Sequence, residues 1–177
     1  PTIQRFQHKD DNPYAQFPNA LSEEDILAAG PLNHLYTRRM IAQDGVNLGA
    51  AVLLTSVGKA REMGINEDHW IFIHGQAEGV ELVMTEREDL SRSLMAEAVL
   101  DRIFEQSQWA VDDVDLIEIY SCFPCAVTVV AEHLDLPNDG SRPLTLTGGL
   151  PFFGGAGNNY SAHAICEAVE RVRQQRG

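Results

Sequence analysis

The glycines at 148, 149, 154, 155 and 157 crowd one short stretch, Thr147-Gly148-Gly149-Leu150-Pro151-Phe152-Phe153-Gly154-Gly155-Ala156-Gly157-Asn158. Glycine lacks a Cβ and tolerates positive φ, so backbone N–H groups in such a loop can converge on one point. A helix beginning just beyond adds about half a positive charge at its N-terminus. Together these suit a developing oxyanion or a thioester carbonyl. A second cluster, Tyr120-Ser121-Cys122-Phe123, offers a phenol, a hydroxyl and a thiol in consecutive positions.

Each cluster sits between the same two kinds of element. Residues 115–120 and 144–147 alternate apolar and other side chains and predict strands. Residues 125–134 and 158–173 carry helical spacing. Two consecutive strand-turn-helix units present both clusters at the same end of a parallel sheet, where ligands of such sheets bind. Further strands are predicted over 46–54 and 70–74. Helices are expected from Ser22 to Ala29, where Asp25 completes a capping box with Ser22, from Ser56 to Gly64, and over 90–106. The fold class is therefore α/β, a mixed or parallel sheet with packed helices.

At these residues the chain resembles the thiolases. Asp115 to Val127 stands where that family carries Asn-Glu-Ala-Phe or His-Asp-Cys-Phe, and Thr147 to Ile165 stands where it carries Gly-Gly, an apolar run and Gly-His-Pro. A third anchor, Asp44 to Ser56 followed by Lys59 to Gly64, is similar to the thiolase segment leading from the loop domain into the last strand of the N-terminal half. The wording Gly-Gly-Leu-Pro-Phe-Phe-Gly-Gly is similar to the sterol-carrier-protein-2 thiolase branch, whose members are labelled acetyl-CoA acetyltransferases. The resemblance implies a loop-domain-like segment at 1–45, the end of the N-terminal half at 46–66, and an incomplete C-terminal thiolase-like domain at 67–177.

It also implies site residues. Tyr120, Cys122 and Gly155 occupy catalytic motif positions, and Gly148, Gly149, Gly154, Gly157 and Asn158 are expected around bound coenzyme A thioester, with no separate cofactor. The departures matter. Gly155 stands where an active thiolase has the histidine of Gly-His-Pro, and Tyr120 replaces the Asn or His that holds a catalytic water. The nucleophilic cysteine belongs to the N-terminal half and the second catalytic cysteine to a segment past Gly177, so this chain alone is expected to be inactive. Two readings stay open: the C-terminal portion of a thiolase-type acyltransferase, or a thiolase-like scaffold that binds CoA or a subunit without catalysis. The implied partners are an acyl-CoA, the rest of the polypeptide or a second subunit, and a further copy in a homo-oligomer.

Composition limits the alternatives. Asp and Glu number 26 against 13 Lys and Arg, a net charge of −13, which disfavours nucleic acid. The 44% hydrophobic content supports a core, yet no apolar run reaches the ~20 residues needed to span a bilayer, so a cytoplasmic protein is expected. An acidic chain that binds CoA phosphates needs local cations, for which Arg38, Arg39 and Lys59 are candidates; solvated surface charge is the alternative. Cys122, Cys125 and Cys166 form no secreted-type pattern. Cys122-Phe123-Pro124-Cys125 is formally a Cys-x-x-Cys, but it lacks the rest of a redox fold, and no second ligand pair completes a zinc site. Of the histidines, His74 could face the cleft, and His163, some 12 Å along its helix from the loop, is expected to pack. His8, His34, His69 and His133 belong to no constellation.

Overall fold

The computed structural model describes residues 12–17, 19 and 21–175. His8 and the beginning of the segment 1–45 lie outside them. Among the described residues six α-helices follow one another: α1 (Glu23–Ala28), α2 (Val57–Glu62), α3 (Leu94–Ser107), α4 (Pro124–His133), the single turn α5 (Leu150–Phe153) and α6 (Tyr160–Gln175).

The helix ends follow from their capping residues. Ser22 accepts from the Asp25 N–H while the Asp25 carboxylate accepts from the Ser22 N–H, so the anticipated capping box opens α1. Ser56 and Ser93 cap α2 and α3 in the same way, through the N–H groups of Lys59 and Ala96. Pro124 opens α4 at a position where its missing N–H costs nothing. Gln108 ends α3 in the left-handed conformation, φ 59°.

The strands are the main correction. Residues 46–54, 70–74, 115–120 and 144–147 run extended, but among the described residues no β-ladder forms, and an isolated bridge joins Pro31 to Thr37. The predicted mixed or parallel sheet is therefore absent from the described residues. Alternating side chains specify an extended backbone, whereas a ladder also needs a neighbour in register. Between 115–120 and 144–147 the Ile119 N–H donates to the Leu144 carbonyl, at 3.0 Å, and the N–H groups of Leu146 and Thr147 turn to the side chain of Glu118 instead.

Two apolar clusters hold the C-terminal portion. Ile119, Leu144, Val127, Ala131, Leu136 and Phe152 pack with Ile26, bringing α1 and α4 onto the extended pair. Leu150, Phe153 and Tyr160 form the second, covered by Ala42, Leu48, Cys122 and Ala164. This second cluster lies directly under the two sequence motifs.

Candidate functional site

Ala42 and Gln43 fasten the glycine loop to the cysteine turn. The Ala42 N–H donates to the Cys122 carbonyl at 2.9 Å, the Gln43 N–H donates to the Leu150 carbonyl at 3.3 Å, and the Gln43 carbonyl accepts from Gly155 at 2.7 Å. Gln43 is itself fixed, since its side-chain amide donates to the carbonyls of Arg38 and Ile41. Cys122 and Gly155 therefore bond to neighbouring residues of one short segment. The Leu150 N–H adds a direct bond between the motifs, donating to Ser121 Oγ at 3.0 Å.

Gly154 and Gly155 are required by close approach. Gly154 has φ 104°, and a Cβ there would lie 2.8 Å from Val46 Cγ1. A Cβ on Gly155 would meet Leu150 Cδ2 at 3.0 Å and Ala42 Cβ at 3.3 Å. The anticipated use of their amides needs correction. The Gly154 N–H donates to the Leu150 carbonyl and the Gly155 N–H to Gln43, so neither is free to receive an oxyanion. Buried loop amides take the carbonyls that the fold brings to them, here one in the loop's own turn and one at Gln43. Gly148 and Gly149 are buried, with the Gly149 N–H donating to Thr147 Oγ1 at 3.1 Å, whereas Gly157 and Asn158 stand exposed at the rim.

Tyr120 is half exposed, and its ring meets that of Tyr160 edge-on at 5.5 Å. Cys122 is partly buried, and burial raises its thiol above the ordinary value. Its sulfur is held as the neutral thiol. Cys125, on the first turn of α4, is exposed and is free, as are Cys122 and Cys166.

The cation and histidine candidates divide. Arg38 and Arg39 lie just before the Ala42–Gln43 clamp, Arg38 exposed and Arg39 with its guanidinium 5.6 Å from the Phe17 ring centre. Lys59 pairs with Glu62 on the surface of α2, 2.7 Å apart. His74 stacks on Trp109 at 4.8 Å and lines a cavity with Ile117 and Glu118. His163 is buried, accepts from the Asn159 side-chain amide and packs 5.4 Å from the Phe153 ring; α6 begins at Tyr160, so this histidine lies one turn into the helix, nearer the loop than its spacing implied. Burial lowers its pKa. Among the described residues no group of three or more His, Cys, Asp or Glu could share a metal ion, and no helix is long and apolar enough to cross a membrane.

Sequence reasoning passed over the polar network beneath the site. Glu118 Oε1 accepts from Tyr160 Oη at 2.6 Å, Oε2 accepts from the Thr147 N–H at 3.0 Å and from the Leu146 N–H, and the Tyr160 and Thr147 hydroxyls contact each other. Asn12 extends it, donating to the Thr147 carbonyl at 3.2 Å and to Glu167 at 3.4 Å. Every buried side-chain polar atom among the described residues has a partner. One signal was present: along 115–120 the period of two places Glu118 on the face of Tyr120, opposite the core residues Ile117 and Ile119.

No protein-family model matches the chain. It is similar to two proteins named acetyl-CoA acetyltransferase. With that of Methanothermobacter thermautotrophicus it is 26% identical over 99% of this chain and 48% of the relative, and with that of Methanocaldococcus jannaschii 24% over 73% and 33%. Among solved structures it is similar to a monomeric SCP2-thiolase-like protein type 1 from Mycobacterium smegmatis, 38% identical with a TM-score of 0.86, across 98% of this chain and 38% of that one. The chain thus spans less than half the length of these relatives, and over that span its architecture is thiolase-like.

Proposed function

We propose, from the likeness to thiolase-like proteins, that this chain is the C-terminal portion of an acyltransferase of the acetyl-CoA acetyltransferase type, acting on a CoA thioester. The observation that carries the reading is the clamp at Ala42 and Gln43, which seats the Cys122 turn and the Gly155 loop side by side. Tyr120 supplies a partly exposed phenol at that junction and Cys122 a neutral thiol, so both act as hydrogen-bond donors rather than as the nucleophile. The attacking thiolate comes from the remaining polypeptide. Gly154 and Gly155 serve by leaving room for Val46, Leu150 and Ala42, while Gly157 and Asn158 at the rim are the loop positions open to CoA. Arg38 is the favoured phosphate partner. The three free thiols accord with a reducing, cytoplasmic setting.

The decisive assay is acetoacetyl-CoA thiolysis by the whole gene product. Tyr120→Phe and Cys122→Ala are each expected to lower kcat/KM by about ten- to a thousandfold, as for a lost transition-state donor. Unchanged rates would return both residues to packing.

A second reading, a non-catalytic scaffold that binds CoA or a subunit, is favoured by one specific feature. The position of the Gly-His-Pro histidine is taken by Gly155, and the space a side chain would need is filled by Leu150 and Ala42. CoA binding without thiolysis would select this reading. The homo-oligomer implied by the family resemblance is tested by sedimentation; the M. smegmatis relative is monomeric, and a monomer here would remove that proposal.

A further inference from the structure

We propose that Glu118 is a positioning residue for the site: through Tyr160 and Thr147 it locks the entrance of the glycine loop against the tyrosine-bearing segment. Its single carboxylate joins three elements in one place. It grows from the segment carrying Tyr120, accepts both the Leu146 and Thr147 N–H groups at the start of the loop, and accepts the Tyr160 hydroxyl from the first turn of α6. Thr147 passes the restraint on, because its hydroxyl also accepts from the Gly149 N–H. Tyr160 passes it to the cluster of Leu150 and Phe153 and, edge-on, to Tyr120.

Charge decides that this is a lock rather than a filler. Every partner of Glu118 is a donor: two amides, the Tyr160 phenol, and the Thr147 hydroxyl at 3.4 Å. Such a set suits the ionised carboxylate, which only accepts. Burial pulls the other way and raises the Glu118 pKa, while the neighbouring negative charge and burial push the Tyr160 phenol up, keeping it a donor. The titratable group touching Glu118 is Tyr160; His163 and Glu167 lie farther along the same face of α6, Glu167 reached through Asn12 and Thr147. Protonating Glu118 would replace an acceptor with a donor beside two amides that only donate, and the Tyr160 or Thr147 hydroxyl would have to turn round to accept from it.

The role rests on the site proposed above, yet its test is separable from it. Glu118→Gln keeps the shape and removes the charge, and Tyr160→Phe keeps the ring and removes the hydroxyl. In the whole gene product, amide hydrogen exchange over residues 144–155 is expected to quicken about tenfold in both variants, with α4 unchanged, as for loss of one charge-assisted bond. Where thiolysis is measurable, kcat should drop about tenfold with KM held within about twofold. Unchanged exchange at 144–155, or acceleration spread equally through α3 and α4, would each overturn the proposal. Absence of thiolysis and CoA binding in the wild type would instead remove the function proposed above and leave the exchange results to decide the lock.

Discussion

Gly154 shows how strictly a single position can be set. Its φ of 104° and the nearness of Val46 forbid a side chain. Gly154→Ala is expected to cost about 1–3 kcal/mol of stability from backbone strain, before Val46 has to move, and thermal unfolding will measure it. His163 gives a second residue-scale outcome. Because burial lowers its pKa from the ordinary 6.5, the unfolded chain takes up the proton first as pH falls. Stability should therefore be fully present above that value and decline as pH drops through the folded-state pKa, and His163→Gln should remove this part of the decline in denaturant titrations at several pH values. Glu118 has the opposite sign. Its raised pKa favours the folded state at low pH, an advantage lost as pH rises from 4.5 through the folded-state value.

At the scale of elements, α3 depends on its first turn. Ser93 accepts from the Ala96 N–H and donates to Glu81, so it both caps the helix and ties it to the extended segment before it. Ser93→Ala should cost about 1–2 kcal/mol, read from the denaturant midpoint, and Ser93→Thr should recover most of it. A loss of a few tenths would mean that the contact with Glu81 is incidental. On α6, Tyr160, His163 and Glu167 form one buried stripe, and Arg171 continues it by donating to Glu167 at 2.8 Å. That spacing gives the helix a polar inner face over the site, where an ordinary amphipathic helix would present an apolar one.

For the molecule as a whole, the N-terminal and central extended segments carry apolar side chains into the open. Leu54 is 76% exposed, Met84 70% and Val80 94%, and an apolar cavity of about 420 Å³ lies between Leu54, Phe72 and Val169. Exposed apolar side chains beside an apolar cavity mark contact with another chain or segment. Expressed alone, the chain is expected to bind a hydrophobic dye and self-associate; produced together with the remaining sequence, it should do neither. Equal dye binding in both preparations would show that these segments face water in the complete protein too.

What could be read from residue order was local. Caps at Ser22 and Ser56, the glycine loop and the turn at Tyr120 all depend on neighbours a few positions apart, and each stands where its pattern placed it. The resemblance to SCP2-thiolase-like proteins was legible for the same reason, because its motifs are short and contiguous. The long-range contacts were decided only by the tertiary structure. Whether extended segments pair, whether Gly154 and Gly155 keep their amides for a ligand, and which carboxylate lies beneath the loop depend on contacts such as Gln43 with Gly155 and Tyr160 with Glu118, between residues more than forty positions apart. A donor goes to the nearest acceptor that folding brings to it, and sequence alone does not reveal that distance.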